Sequence, residues 1–478
     1  MKAVLVKLLT LIISLTAAVA AFAWWFTRPV PVVESSLPGM DNVPPGARNK
    51  VEKVKIGEFF KVFDDKYDKS LTGSWPRFRG KDFSNIADDG VKLLDNWPQG
   101  GPPVFWRKPL GEGHAAPVIH KGRVYILDYL EDEQADALRC FSLRDGHELW
   151  RRWYKVTIKR NHGRSRTIPA VTDDYVVTIG PKCQVMCVRS EDGRLLWGID
   201  LVREYGTEVP QWYTGQCPLI EGKTVVIAPG GPDVLIMGVD ADTGKVLWKT
   251  PNPGKWKMSH SSIMPMTLAG RRMYVYSSLG GLVGVAADGD EVGKILWQCK
   301  AWSPSVIAPS PVVMNDGLIF LAAGYGAGSM TVRVLFKDGH FEVKEINRFR
   351  PLEGLALEQQ TAIFSNGMLY GVMPKDAGAR RMLFVGCIPY NVSEFRVEGP
   401  RDMRFGLGPF IKADGRFYIL DDRGTLTIMS VAGEKCYVRG RGKVLDGHDA
   451  WGPIAVADGY MLLRDSTSMV CLNMRSEK

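Results

Sequence analysis

The residues best suited to chemistry in this chain form a spaced set rather than a cluster. His114, Arg166, Gly215, His260, Ala308, Gln359, Gly406 and Ala450 follow one another at intervals of 44 to 52 residues. Four of the eight, His114, Arg166, His260 and Gln359, can recognise an anion or a polar ligand. Trp212, Tyr213, Gln216, Gln360 and Trp451 lie next to members of the set and can stack or hydrogen-bond. Aromatic faces converging with a few polar groups are what a small-ligand pocket needs. The competing reading is that these are solvated or bracing loop residues. His114 and His260 carry the nitrogen chemistry of a base or a metal ligand. Two histidines without a third ligand fall short of a metal site, so no metal and no catalytic residue is expected.

Residues so far apart in sequence converge only if a repeated element carries them. Each member of the set stands three places before the second residue of a recurring start: Ala116-Pro117, Ile168-Pro169, Cys217-Pro218, Ser262-Ile263, Ser310-Pro311, Thr361-Ala362, Gly408-Pro409 and Gly452-Pro453. An apolar pair, a turn and a second apolar run follow each start. The clearest unit runs from Cys217 to Trp248, with strand-like runs at Thr224 to Ala228 and Val234 to Val239. A tight turn, Asp240-Ala-Asp-Thr-Gly-Lys245, then leads to Val246-Leu-Trp248. In such a turn Gly244 takes a positive φ cheaply, and the Asp and Thr side chains bond local amides. The same ending recurs at Arg144-Asp-Gly-His-Glu-Leu-Trp150, Glu191-Asp-Gly-Arg-Leu-Leu-Trp197 and Val292-Gly-Lys-Ile-Leu-Trp297.

Units of 40 to 50 residues built from short strands are propeller blades. The expected fold is an all-β, eight-bladed β-propeller, with seven blades as the alternative because the last three units lack the terminal tryptophan. Val104-Phe-Trp106 matches a blade ending and lies 44 residues before Trp150. An N-terminal strand is therefore expected to complete the last blade, which removes a free radial edge. Trp106, Trp150, Trp197, Trp248 and Trp297 are read as blade-packing residues, and Trp248→Ala is expected to cost about 3–5 kcal/mol.

The domain reading is residues 1–28 as a signal peptide or membrane anchor, 29–74 as a proline-rich linker with a short helix, and 75–478 as the propeller. Lys2 and Lys7 precede an apolar run from Leu8 to Phe26, interrupted only by Thr10, Ser14 and Thr16. The run is long enough to span a bilayer, and Trp24 and Trp25 suit the interface. Ala18-Val-Ala20 and Ala21-Phe-Ala23 resemble cleavage sites. Either way the propeller is expected outside the cytoplasm, which argues against nucleic-acid partners despite the net charge of +9. The densest basic stretch, Lys159, Arg160, Arg164 and Arg166, reads as a solvated loop. The eight cysteines form no CxxC pattern and read mostly as small buried residues.

Asp240-Ala-Asp-Thr-Gly-Lys-Val-Leu-Trp248 resembles the PQQ-like repeat of the quinoprotein alcohol dehydrogenase-like superfamily. Ser74-Trp-Pro-Arg-Phe-Arg-Gly80 is similar to the opening of bacterial PQQ-like propellers of unassigned function. The resemblance spans about residues 75–474. It implies a bacterial envelope location, either anchored in the inner membrane with a periplasmic propeller or secreted to the periplasm. In the catalytic relatives it implies PQQ and Ca²⁺ in the funnel, with a vicinal disulfide below the cofactor. This chain has no adjacent cysteines and no evident carboxylate set for calcium. In the non-catalytic relative of the outer-membrane assembly machinery it implies a protein-binding scaffold. That relative's lipoprotein cysteine is absent here. The leading expectation is a monomeric, non-catalytic scaffold for protein or envelope components that needs no cofactor. The alternatives are a PQQ- and calcium-dependent oxidoreductase and a sugar- or polyol-binding module. The expected ligand residues, for a small polar or anionic ligand, are His114, Arg166, Trp212, Gln216, His260, Gln359, Gln360 and Trp451.

Overall fold

The computed structural model describes residues 2–28, 53–97 and 101–476. Two units separate, residues 1–50 and 51–478. The first holds one helix, Lys2–Thr27, whose stretch Val4–Thr27 is long and apolar enough to cross a membrane. Its 24 residues span about 36 Å at helical rise. Residues 29–52, which hold the expected linker, lie outside the described residues.

The second unit is a β-propeller. Among the described residues, six of its sheets each contain one four-stranded antiparallel meander, and a nine-stranded sheet contains two. The last two are joined by a single parallel pair, Glu398 with Lys435. The first strands, such as Val118–His120, Ala170–Val171 and Leu219–Glu221, are short and touch one another. They are the innermost elements and line the channel. The strand Val104–Pro109 pairs antiparallel with Ser468–Asn473, setting Trp106 against Cys471, and so completes the last meander. The ring closes by hydrogen bonds between the chain's two ends.

Tryptophan docking explains the repeated ending. In successive meanders the turn glycine lies against the tryptophan that ends the preceding one. Gly146 meets Trp106, Gly193 meets Trp150, Gly244 meets Trp197 and Gly293 meets Trp248. Trp106 and Trp197 also donate from Nε1 to the carbonyls of Leu143 and Ala241, at 2.8 and 2.7 Å. Apolar surface in the neighbouring sheet thus holds each ring, and for Trp106 and Trp197 a backbone acceptor there holds it too. Trp248 departs from the expectation. It is only half-buried, stacked on Tyr274 with centroids 5.9 Å apart, so its truncation removes less buried area than that of Trp197.

The short helix expected within residues 29–74 is not formed among the described residues. Phe59–Val62 is instead a strand that pairs antiparallel with Glu148–Lys155, at the outer edge of the first meander. That edge offers unpaired amides and carbonyls. Phe59 stacks on Trp153 at 5.7 Å and Phe60 lies 6.3 Å from Trp150. A lone short helix has no such partners and a costly nucleus.

Candidate functional site

The starts of the meanders are ordered by a relay of hydrogen bonds around the channel. Ile168 N–H donates to Cys217 Sγ at 3.3 Å, and Cys217 N–H to Ser262 Oγ at 3.0 Å. Ser262 N–H donates to Ser310 Oγ and Ser310 N–H to Thr361 Oγ1, each at 2.9 Å. The small polar residues that open the repeats are therefore inter-blade fasteners. They fix the register of the residues just upstream.

Those upstream residues wall a cavity of about 410 Å³, within the range of small-molecule sites. His114, Arg166, Trp212, His260, Gln359, Gln360 and Trp451 line it. Gln216 does not. It is fully buried, donates to the Ala228 carbonyl at 3.1 Å and accepts from the Ala228 amide at 2.9 Å. Its neighbours Gly215 and Cys217 line the cavity, and extended chain turns alternate side chains to opposite faces. Gly406 and Ala450 give way to their neighbours Leu407 and Trp451.

Phe78, His162, Tyr325, Glu358 and Lys375 also line the cavity, and the repeat register does not reveal them. Tyr325 and Lys375 sit in the connections between second and third strands, where the repeat has no periodic signal. Phe78 belongs to the Trp-Pro-Arg-Phe-Arg-Gly opening, whose structural purpose is now plain. Trp75 pairs with Ile119, and Pro76 accepts from Val171. Arg77 donates to the Ile220 carbonyl, and Asn85 to that of Phe410. Arg79, buried among carbonyls, donates to Phe83, Ser84, Thr361 and Ala362. Burial lowers its pKa to about 9. Residues 74–87 thus cross the channel and give the cavity a protein floor.

The rim is conformationally strained. Trp212 and Tyr213 are consecutive residues at φ 62° and 70°, and Tyr325 has φ 56°. Each left-handed non-glycine residue costs of order 1–3 kcal/mol. Trp212 stacks on Tyr325, centroids 5.6 Å and planes 8° apart, while Trp451 packs on His114 at 5.0 Å. Trp451 Nε1 donates to Asp422 at 2.8 Å, and Gln360 donates to the Trp451 carbonyl at 3.1 Å.

Arg166 donates from Nε to the Trp212 carbonyl at 2.5 Å. Its Nη2 donates to Asn161 and His162 at 2.7 and 2.8 Å. Burial lowers its pKa to about 10. Burial first, then the Arg166 charge, holds His114 and His260 neutral, with pKa values lowered to about 3 and 4. Burial raises the Glu358 carboxyl, and Lys375 opposes that shift. The rest of the basic stretch is anchored: Arg160 pairs with Glu112, and Arg164 with Glu131.

A family model described as outer membrane protein assembly factor BamB matches residues 97–210 and 134–333. The chain belongs to the PQQ-like repeat propellers. No curated protein matches the sequence. This PQQ-like propeller is similar in structure to a quinohemoprotein alcohol dehydrogenase from Pseudomonas putida HK5, at 13% identity and TM-score 0.55, covering 86% of this chain and 81% of that one. One from Comamonas testosteroni gives 11% identity and 0.55, covering 85% and 81%. A europium-containing methanol dehydrogenase gives 11% and 0.55, covering 84% and 89%. At such identities the likeness concerns the fold.

PQQ with a metal ion, which the dehydrogenase branch of this fold implies, meets a poor fit in the PQQ-like propeller described here. Glu358 is the one carboxylate in the cavity wall among the described residues. No group of three or more His, Cys, Asp or Glu among those residues is placed to hold a metal ion. Calcium takes six to eight oxygen ligands.

Proposed function

We propose that this protein is a non-catalytic binding propeller of the bacterial cell envelope, held there by its N-terminal helix, and that its floored funnel receives a small polar ligand. The rim carries the reading. Three left-handed aromatic residues, two of them consecutive and two stacked on each other, are held against their backbone preference above a pre-formed cavity. Strain of this kind persists where the surroundings over-determine it, and it concentrates at functional sites. The wall offers neutral hydrogen-bonding groups and a charge excess of one cation, with no nucleophile–base pair among the described residues, which favours binding over turnover.

The test uses the full-length protein in detergent. A thermal-shift and calorimetric panel of neutral and charged sugars, polyols, amino acids and PQQ with and without Ca²⁺ is run beside Ala308→Trp, which fills the cavity. The expected result is binding of at least one hydrophilic compound that Ala308→Trp abolishes. Calcium-dependent stoichiometric PQQ binding with oxidation of an alcohol would overturn the reading in favour of a dehydrogenase. Absence of any binding sensitive to Ala308→Trp would overturn it in favour of a scaffold working through its outer faces. A specific observation keeps that scaffold reading in view: outer strands and loops leave Leu247, Phe336, Ile346 and Tyr390 exposed.

A further inference from the structure

The funnel's charge balance names the class of ligand, an inference that rests on the binding reading above. Three side chains of fixed charge type line the cavity: Arg166, Lys375 and Glu358. No ion pair joins Lys375 to Glu358 among the described residues, and two cations against one carboxylate leave the wall with one positive charge in excess. Arg166 has no carboxylate within ion-pair distance among the described residues. Its Nε and Nη2 are committed to three backbone carbonyls, which leaves Nη1 uncommitted. A guanidinium withdrawn from water is costly without a close counter-charge, and among the described residues Glu112, whose charge acts on Arg166, lies beyond ion-pair distance and is paired with Arg160. His114 and His260 add no further cation, because burial first and then the Arg166 charge keep both uncharged.

The remaining polar wall is neutral and suits hydroxyl groups. His114 Nδ1 is buried beside the Asp449 backbone without a well-formed hydrogen bond. Gln359 and Gln360 add amides, and Trp451 and Trp212 add flat apolar faces. The volume of about 410 Å³ lies near the lower end of small-molecule sites.

We infer that the funnel binds a small polyhydroxylated anion, a sugar acid or sugar phosphate, with its anionic group on Arg166 Nη1 and its hydroxyls among His114, Gln359 and Gln360. The anion supplies the missing counter-charge through charge-assisted hydrogen bonds.

The experiment is calorimetry on the full-length protein in detergent at constant ionic strength, with four probes: D-glucuronate, D-glucose 6-phosphate, D-glucose and benzoate. The carboxylate and phosphate arms separate the two anion sources. At least one of them is expected to bind about tenfold more tightly than glucose, as loss of one charged hydrogen bond implies. Benzoate, lacking hydroxyls, is expected to bind more weakly than either. Arg166→Gln should erase the preference over glucose. Because Arg166 also braces two loops, the charge preference of the wild type is a second readout that needs no variant. Glucose binding as tightly as both anions, or benzoate binding best, would overturn the inference and leave the proposed function standing. So would no binding of either sugar anion while another panel compound binds in a manner sensitive to Ala308→Trp. Loss of all such binding would overturn both.

Discussion

Consider Gly244→Ala. Gly244 has φ +71°, and a Cβ placed there lies 2.7 Å from Trp197 Cγ, 2.9 Å from Cδ2 and 3.0 Å from Cβ. The substitution therefore incurs two costs. A left-handed alanine costs about 1–2 kcal/mol. Driving a methyl into the packed ring adds about 1–3 kcal/mol, because Trp197 is 8% exposed and tied to the Ala241 carbonyl at 2.7 Å. The total is about 2–5 kcal/mol. Gly339 isolates the first cost. It too has a positive φ, +84°, but a Cβ at that position would meet nothing within 4 Å. Gly339→Ala should therefore cost only about 1–2 kcal/mol. In the double variant with Trp197→Ala the clash disappears, so the two effects should fall short of additivity by about 1–3 kcal/mol. Urea unfolding of the full chain, read by tryptophan fluorescence and by circular dichroism, measures the wild type, the three single variants and the double variant. Equal losses for Gly244→Ala and Gly339→Ala, or strict additivity of the double variant, would refute ring docking as the lock between blades.

Removing the Arg79 guanidinium strands four carbonyls, two of them buried, so Arg79→Met should destabilise by about 3 kcal/mol or more. It should also speed limited proteolysis within residues 74–87; unchanged protection would mean the floor is held without it. Acidification should weaken the fold. Between the ordinary histidine value of 6.5 and the folded values of about 3 and 4, the unfolded chain binds two protons that His114 and His260 refuse when folded. Stability from these two is thus lost as pH falls below 6.5. Asp136, raised by burial from 3.8 to about 7, keeps a proton when folded and opposes the trend by one proton across that window. The net urea midpoint should drop from pH 6.5 to 4.5, and less so in His260→Gln; equal slopes would show that His260 takes up its proton in the folded state.

Much of the fold was legible because it is written periodically. A tight turn with a glycine and a tryptophan four residues on recurs at nearly constant spacing, and both have local causes: a positive φ and a large apolar ring. The match of Val104-Phe-Trp106 to a blade ending was enough to anticipate closure, since any four-stranded unit missing its last strand must find one. The short stretch before each repeat start was legible as a mouth because closure brings equivalent positions together. The side-chain direction of one residue was not, and Gln216 turned into its own blade while Gly215 and Cys217 faced the cavity.

The amino-acid sequence by itself determined the repeat, its turn chemistry, the closing strand and the positions, three before each landmark, from which His114, Arg166, His260 and Gln359 reach one cavity. Tertiary structure alone decided the rest. Phe59–Val62 became a strand because a neighbouring edge offered it partners, and residues 74–87 became a floor because carbonyls of several blades converge on Arg79, Arg77 and Asn85. Tyr325 and Lys375 joined the site from connections whose spacing carries no signal. The physical reason is one of range: turns, alternation and docking rings are set within a few residues, whereas a floor, a stacked rim and an unpaired cation exist only once the ring has closed.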